Sequence, residues 1–151
     1  MSYTLSEVRP GDHRGMAQVR ALLEQEGISL DGNLDYTCGL FDEDDNLAAT
    51  GSSFGSTLRC FAVDRAHQGE GLLNQIVSHL VERLTGQGRT HLFVYTKVSA
   101  AKFFQDLGFY EIARVENTLS FLENRKNGFT RFCTRLSQSR TEEPAAAIVM
   151  N

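Results

Sequence analysis

A chain of 151 residues, 41% of them apolar, can bury the core of one domain and is not disordered by composition. Its formal charge of -4, with 15 basic residues and no run among them, excludes a nucleic-acid surface, which needs clustered lysine and arginine. No apolar stretch approaches the roughly 20 residues that span a bilayer, Met1-Ser2-Tyr3-Thr4 does not open a secretory leader, and Cys38, Cys60 and Cys133 form no Cys-x-x-Cys, so a cytoplasmic protein with reduced thiols is expected. His13, His67, His79 and His91 share no metal-ligand spacing, and no metal is expected.

In chain order, Tyr3 to Arg9 alternates as a strand, and Pro10-Gly11-Asp12 makes a turn with Asp12 placed to cap a helix. Met16, Val19, Leu22 and Leu23 give that helix one apolar stripe, and Gly27 stops it. Leu34 to Phe41 and Leu47 to Ser53 read as a hairpin around Asp42-Glu43-Asp44-Asp45-Asn46. This acidic turn lacks the glycine and terminal glutamate of a calcium loop and reads as a solvated loop.

Leu58 to Val63 is the third strand of this meander, and a long helix runs from Gly71 to Leu84 until Gly86-Gln87-Gly88 ends it. His91 to Tyr95 forms the next strand, Ser99 caps a short helix to Leu107, and Gly108 closes it. Tyr110 to Val115, Leu119 to Leu122 and Phe129 to Leu136 are late strands, with Asn127-Gly128 as a hairpin turn between the last two. A helix between two apolar strands implies a right-handed parallel crossover in an otherwise mostly antiparallel sheet, an α+β (α/β) fold. Ser137 to Pro144 is polar and favours an extended linker, and Ala145 to Met150 turns apolar again, so 145-151 is the expected start of a truncated second domain.

The stretch from Val63 to Leu73 carries the most chemistry, because an apolar run breaks there into a polar, glycine-containing turn and reopens as an amphipathic helix. A helix's first turn has amides without internal partners, and its peptide dipoles add partial positive charge, so a phosphate is stabilised without a lysine. One such end contributes about 0.3 to 2 kcal/mol, which positions a ligand but does not alone bind it. Asn74 stands where a dinucleotide fingerprint has its third glycine, and no phosphate-loop motif occurs. The plain alternative is a turn in which Gly69 and Gly71 only supply backbone freedom.

Gln68-Gly69-Glu70-Gly71-Leu72-Leu73 resembles the Gln/Arg-x-x-Gly-x-Gly/Ala signature of the GNAT acyltransferase superfamily, with Leu73 in place of the small last residue. That resemblance implies the GNAT fold and backbone amides on the pyrophosphate of CoA or acetyl-CoA. More widely, Thr57 to Val63, Gln68 to Leu72, Thr90 to Lys97 and Phe103 to Phe109 resemble the amino-terminal domain of the citrate lyase ligase family over residues 3 to 136. The resemblance implies residues 1-136 as a GNAT-like domain, 137-144 as linker and 145-151 as the opening of a nucleotidyltransferase domain that would hold the ATP chemistry.

It further implies ATP-dependent acetylation of a thiol on a dephospho-CoA-like prosthetic arm, with the acyl carrier subunit of citrate lyase as partner. By family position the ligand-binding residues are Phe61, Ala62, Val63, Gln68, Gly69, Glu70, Gly71, Leu72, Leu73 and Phe104. Phe104 stands where GNAT enzymes usually carry a tyrosine that protonates the leaving thiolate, and Lys97 replaces a common asparagine. Phenylalanine has no proton to give, and a general acid is worth about 10² to 10⁴ in rate, which argues against ordinary amine acetylation.

Ala100, Phe103, Phe104 and Leu107 also form a core stripe. Cys60 is the candidate acyl relay on the strand that lines the pantetheine channel in the family, and its plain alternative is an inert buried thiol. Glu70, beside phosphates, has to face solvent or pair with Arg65 or His67. The rival functions are a free-standing GNAT N-acetyltransferase using acetyl-CoA and a non-catalytic carrier-docking domain, the latter favoured by the bulk of Leu73.

Overall fold

In the computed structural model, which describes residues 2–115 and 119–125, two units form. One comprises Met1–Gly55 and Arg59–Arg83, the other Ser56–Leu58 and the described residues from Leu84 onward. No helix among the described residues is long and apolar enough to cross a membrane.

The first unit contains β1 (Thr4–Glu7), α1 (His13–Gln25), β2 (Tyr36–Phe41), β3 (Leu47–Phe54) and most of β4 (Thr57–Val63), with strand order β1-β2-β3-β4. β1 and β2 run antiparallel with Thr4 opposite Phe41, and β2 and β3 run antiparallel with Tyr36 opposite Ser53. Asp12 caps α1 by accepting from the Gly15 amide at 2.9 Å, and Gly27, at φ +70°, ends it. The α1 stripe of Val19, Leu22 and Leu23 is buried with Val8, Leu47, Cys60 and Ala62. The acidic turn closes through Asp42, whose Oδ1 accepts from the amides of Asp44 and Asn46 at 2.9 Å each.

Helix α2 (Leu72–Gly86) buries Leu72, Ile76, Val77, Leu80 and Val81. Gly51 lets it approach: a Cβ there would stand 2.5 Å from Ile76 Cγ2 and 2.8 Å from the Phe61 ring. Tyr36, buried at the start of β2, meets the helix through a 2.6 Å hydrogen bond to His79 Nε2, with the Arg83 guanidinium 3.8 Å from its ring centroid. Burial lowers the His79 pKa from its ordinary 6.5, with Arg83 lowering it further and Glu82 opposing.

The unfolded chain therefore binds this proton more readily than the folded one, so the stability from neutral His79 is present above pH 6.5 and is lost as pH falls below it. Urea midpoints measured from about pH 7.5 to 5 should fall, and His79→Gln should flatten the part of the fall just below pH 6.5. Parallel curves for the two proteins would remove His79 from the acid response.

The second unit contains the first residues of β4, then β5 (His91–Lys97), α3 (Val98–Asp106), β6 (Tyr110–Val115) and β7 (Leu119–Arg125), in the order β4-β5-β7-β6. Thr57 and Leu58 pair in parallel with Phe93 and Val94, as the β-helix-β crossover requires, whereas β5/β7 and β6/β7 are antiparallel. α3 packs on β5, β6 and β7 and supplies buried Ala101 and Phe104, with buried Leu107 just past its end.

β7 sits between β5 and β6, a sheet order on which the sequence carries no expectation, so α3 carries the chain across one sheet position that β7 then fills. The structure departs from the sequence expectations in local detail. α3 begins at Val98, directly after β5, so Ser99 lies in the first turn and is not the cap. A 3-10 turn at Arg65–His67 follows β4, where only a turn was expected. The expected strand Phe129 to Leu136, the Asn127-Gly128 turn, the linker and the apolar end lie outside the described residues.

Candidate functional site

The turn between β4 and α2 is built by local hydrogen bonds. The Asp64 amide donates to the Ala48 carbonyl at 2.8 Å, tying the end of β4 to β3, and the Asp64 carboxylate accepts from the Ala66 amide at 3.2 Å to start the 3-10 turn. Gln68 then extends the chain at φ -69°, ψ 151°. Gly69 and Gly71 take φ +85° and +75°, a region that side chains with a Cβ disfavour. A Cβ at either glycine would meet nothing within 4 Å, so conformation, not crowding, requires glycine.

The consequence is a run of exposed main-chain donors. Among the described residues, the amides from Gln68 to Leu73 make no short hydrogen bond to a protein acceptor outside the turn itself; the first short bond of the helix is Gln75 N–H to Gly71 O at 3.2 Å. Gln68 to Gly71 are exposed. Water-facing amides on alternating backbone conformations, followed by a helix dipole of fifteen residues, suit an anion.

Glu70 lies within this run, and its carboxylate is engaged. Oε2 accepts from the Tyr3 hydroxyl at 2.9 Å and stands 3.7 Å from His67 Nδ1. Tyr3 also lies 2.8 Å from His67 Nδ1, with the two rings edge to face at 5.6 Å. Partial burial and the Glu70 carboxylate push the Tyr3 hydroxyl up to about 12, so it stays protonated at neutral pH. Of the two partners expected for Glu70, His67 is present; Arg65 turns instead to the Gln25 carbonyl at 3.3 Å and the Glu26 carboxylate at 3.5 Å. Tyr3 was invisible to sequence reasoning, because 67 residues separate it from Glu70 and no local pattern links them.

The other predicted site residues divide. Phe61, Ala62 and Val63 lead straight into the turn, Ala62 buried beside α1 and the Phe61 ring packed at Gly51. Leu72 is buried and Leu73 half-buried at the start of α2. Cys60 shares β4 but turns its Sγ toward the Ser29 carbonyl and the Asp31 carboxylate, at 3.9 and 3.5 Å, in the core cluster. Burial pushes this thiol up to about 11, so it is protonated at neutral pH and a poor nucleophile.

Cys60 also holds φ +58° inside a strand, a strained conformation for a residue with a side chain. Asp31 is engaged by the Arg59 guanidinium at 2.9 Å. Phe104 belongs to the second unit, fully buried between Phe103 and Phe109 in edge-to-face contacts at 5.2 and 5.7 Å. A cleft of about 200 Å³ bordered by Glu7, Met16, Arg20, Leu34 and Tyr36 contains none of the ligand-binding or catalytic candidates named from the sequence.

Comparison with known proteins gives this geometry a context. Residues 19–123 match the model of the acetyltransferase (GNAT) domain family. A [citrate [pro-3S]-lyase] ligase of Klebsiella pneumoniae is 32% identical over 130 residues, covering 85% of this chain and 38% of that protein. The chain spans 38–42% of the length of the curated relatives it matches, all three of which carry that name. Among solved structures, a GNAT-family acetyltransferase of Staphylococcus aureus aligns with a TM-score of 0.69 at 12% identity over 83% of this chain and 99% of that one. N-acetylglutamate synthase from Neisseria gonorrhoeae, solved with coenzyme A and N-acetyl-glutamate, aligns at 0.63 and 18% identity over 83% of this chain and 35% of that one. These structural likenesses establish the fold: a mixed, mostly antiparallel sheet flanked by helices.

Proposed function

The chain belongs to the acetyltransferase (GNAT) family, and on that premise we propose that it is the CoA-arm-binding, amino-terminal part of a citrate lyase ligase. The observation that carries this reading is the exposed turn from Gln68 to Gly71 leading into α2, whose amides make no short hydrogen bond to protein acceptors. On this account those amides hold the diphosphate of a CoA-type group, and Phe61 to Val63 lend strand backbone to the pantetheine amides. The bound thiol is then presented for acetylation, and the carrier subunit of citrate lyase is the partner that delivers it.

ATP chemistry is assigned to a part of the matched relatives that this chain does not cover. Two features favour binding and presentation over amine acetylation by this part alone. Phe104 has no ionisable proton and is enclosed by its neighbours, and the Cys60 thiol is held neutral in the core.

The test is calorimetry with CoA and dephospho-CoA together with an assay for AMP from acetate and ATP. The 151-residue chain should bind the nucleotides and form no AMP. AMP formation would overturn the division of labour, and absence of binding would overturn the reading itself.

A further inference from the structure

Glu70 is the one carboxylate among the amides of Gln68 to Leu73, and a free carboxylate there would repel any diphosphate. The side chain is 39% exposed, enough to swing across the turn unless something restrains it. Its restraint is legible from proton accounting. An ionised carboxylate only accepts, so the single hydroxyl proton of Tyr3 goes to Glu70 Oε2, and the N–H at His67 Nδ1 donates to the Tyr3 oxygen. His67 is only 14% exposed and has the Asp64 carboxylate 3.9 Å from its other nitrogen, on the residue that starts the 3-10 turn. Tyr3 belongs to the segment entering β1, so the clasp joins the beginning of the sheet to the turn after β4.

We propose that Tyr3 is a positioning residue for the diphosphate site: its hydroxyl holds the Glu70 carboxylate aside and thereby sets the charge that an incoming diphosphate meets. The proposal rests on the reading of the turn as a diphosphate site. A hydrogen bond to an ionised acceptor is among the stronger side-chain bonds, and this one also fixes a rotamer-rich glutamate. Removing the hydroxyl frees one negative charge within a few ångströms of the phosphates, which in a solvated turn lowers affinity about three- to tenfold. Screening shortens the reach of that charge, so the deficit shrinks as ionic strength rises to about 0.5 M.

The test is CoA calorimetry on the full chain as wild type, Tyr3→Phe, Glu70→Gln and the double variant, with melting midpoints confirming that each is folded. Tyr3→Phe should weaken CoA by about three- to tenfold, and the loss should fade with salt. Glu70→Gln removes the charge that the hydroxyl controls, so adding Tyr3→Phe to it should change affinity by less than about twofold relative to Glu70→Gln itself. A purely structural role for the hydroxyl predicts the same loss in both backgrounds and no salt dependence, and that result, or an unchanged Tyr3→Phe, overturns the proposal. Wild-type protein that binds no CoA overturns the diphosphate reading and this inference with it, an outcome distinct from wild-type binding that Tyr3→Phe leaves intact.

Discussion

Gly71→Asp should reduce CoA affinity at least tenfold, about 1.4 kcal/mol or more. Gly71 sits at φ +75° immediately before α2, and its exposed amide is one of those assigned to the diphosphate. An aspartate there places a carboxylate where the phosphates would lie, and its backbone is strained by about 1 kcal/mol or more. Since a Cβ at this position meets nothing within 4 Å, the fold has room for the side chain, and the loss should appear in binding more than in the melting midpoint. Gly71→Asn separates the causes, for it imposes similar backbone demands without charge and should retain more of the affinity. Titration calorimetry of both variants decides the matter; equal affinity for wild type and Gly71→Asp would place the ligand elsewhere.

Phe104→Ala should cost about 3 to 5 kcal/mol of unfolding free energy, the largest single-residue effect expected in the second unit. Its ring is fully buried and packs edge-on against Phe103 and Phe109, so truncation removes aromatic contacts and leaves a cavity. Phe104→Tyr, which restores the residue usual in the wider family, adds a hydroxyl to this enclosed position and should cost about 1 to 3 kcal/mol unless the oxygen finds a partner. Urea unfolding measures both. A loss below about 1 kcal/mol for Phe104→Ala would mean that the ring is not a core element, and acquisition of amine acetyltransferase activity by Phe104→Tyr would show that the site lacked only a proton donor.

Much of the fold was legible because its signals are local. Asp12 before an apolar stripe and Gly27 after it mark α1 through hydrogen bonds made within a few residues, and the same holds for the acidic hairpin turn and for Gly108 at the end of α3. The parallel crossover also followed from chain order, since a helix between two buried strands has few other solutions. The placement of β7 between β5 and β6 was not legible, because sheet order depends on which edge is open once α3 has packed, and no pattern within a strand encodes that.

At the candidate site, the glycine turn was readable from spacing, but what makes its amides available was not. The positive φ of Gly69 and Gly71 and the lack of short hydrogen bonds from the turn's amides to the rest of the protein belong to the folded turn. The Tyr3 clasp on Glu70 likewise depends on β1 pairing with β2 and so bringing a distant residue to the turn. Cys60 illustrates the reverse. Its strand position suited a relay, yet it packs against α1, and burial makes it a poor thiolate source.

The most direct test is an amide-resolved NMR titration of the 151-residue chain with CoA, because the account makes main-chain N–H groups the ligand's principal contacts. It predicts the largest shifts for Gln68 to Leu73, moving together and saturating at the affinity found by calorimetry, with smaller changes along Phe61 to Val63. Saturable binding that leaves those amides unmoved while others shift would contradict it.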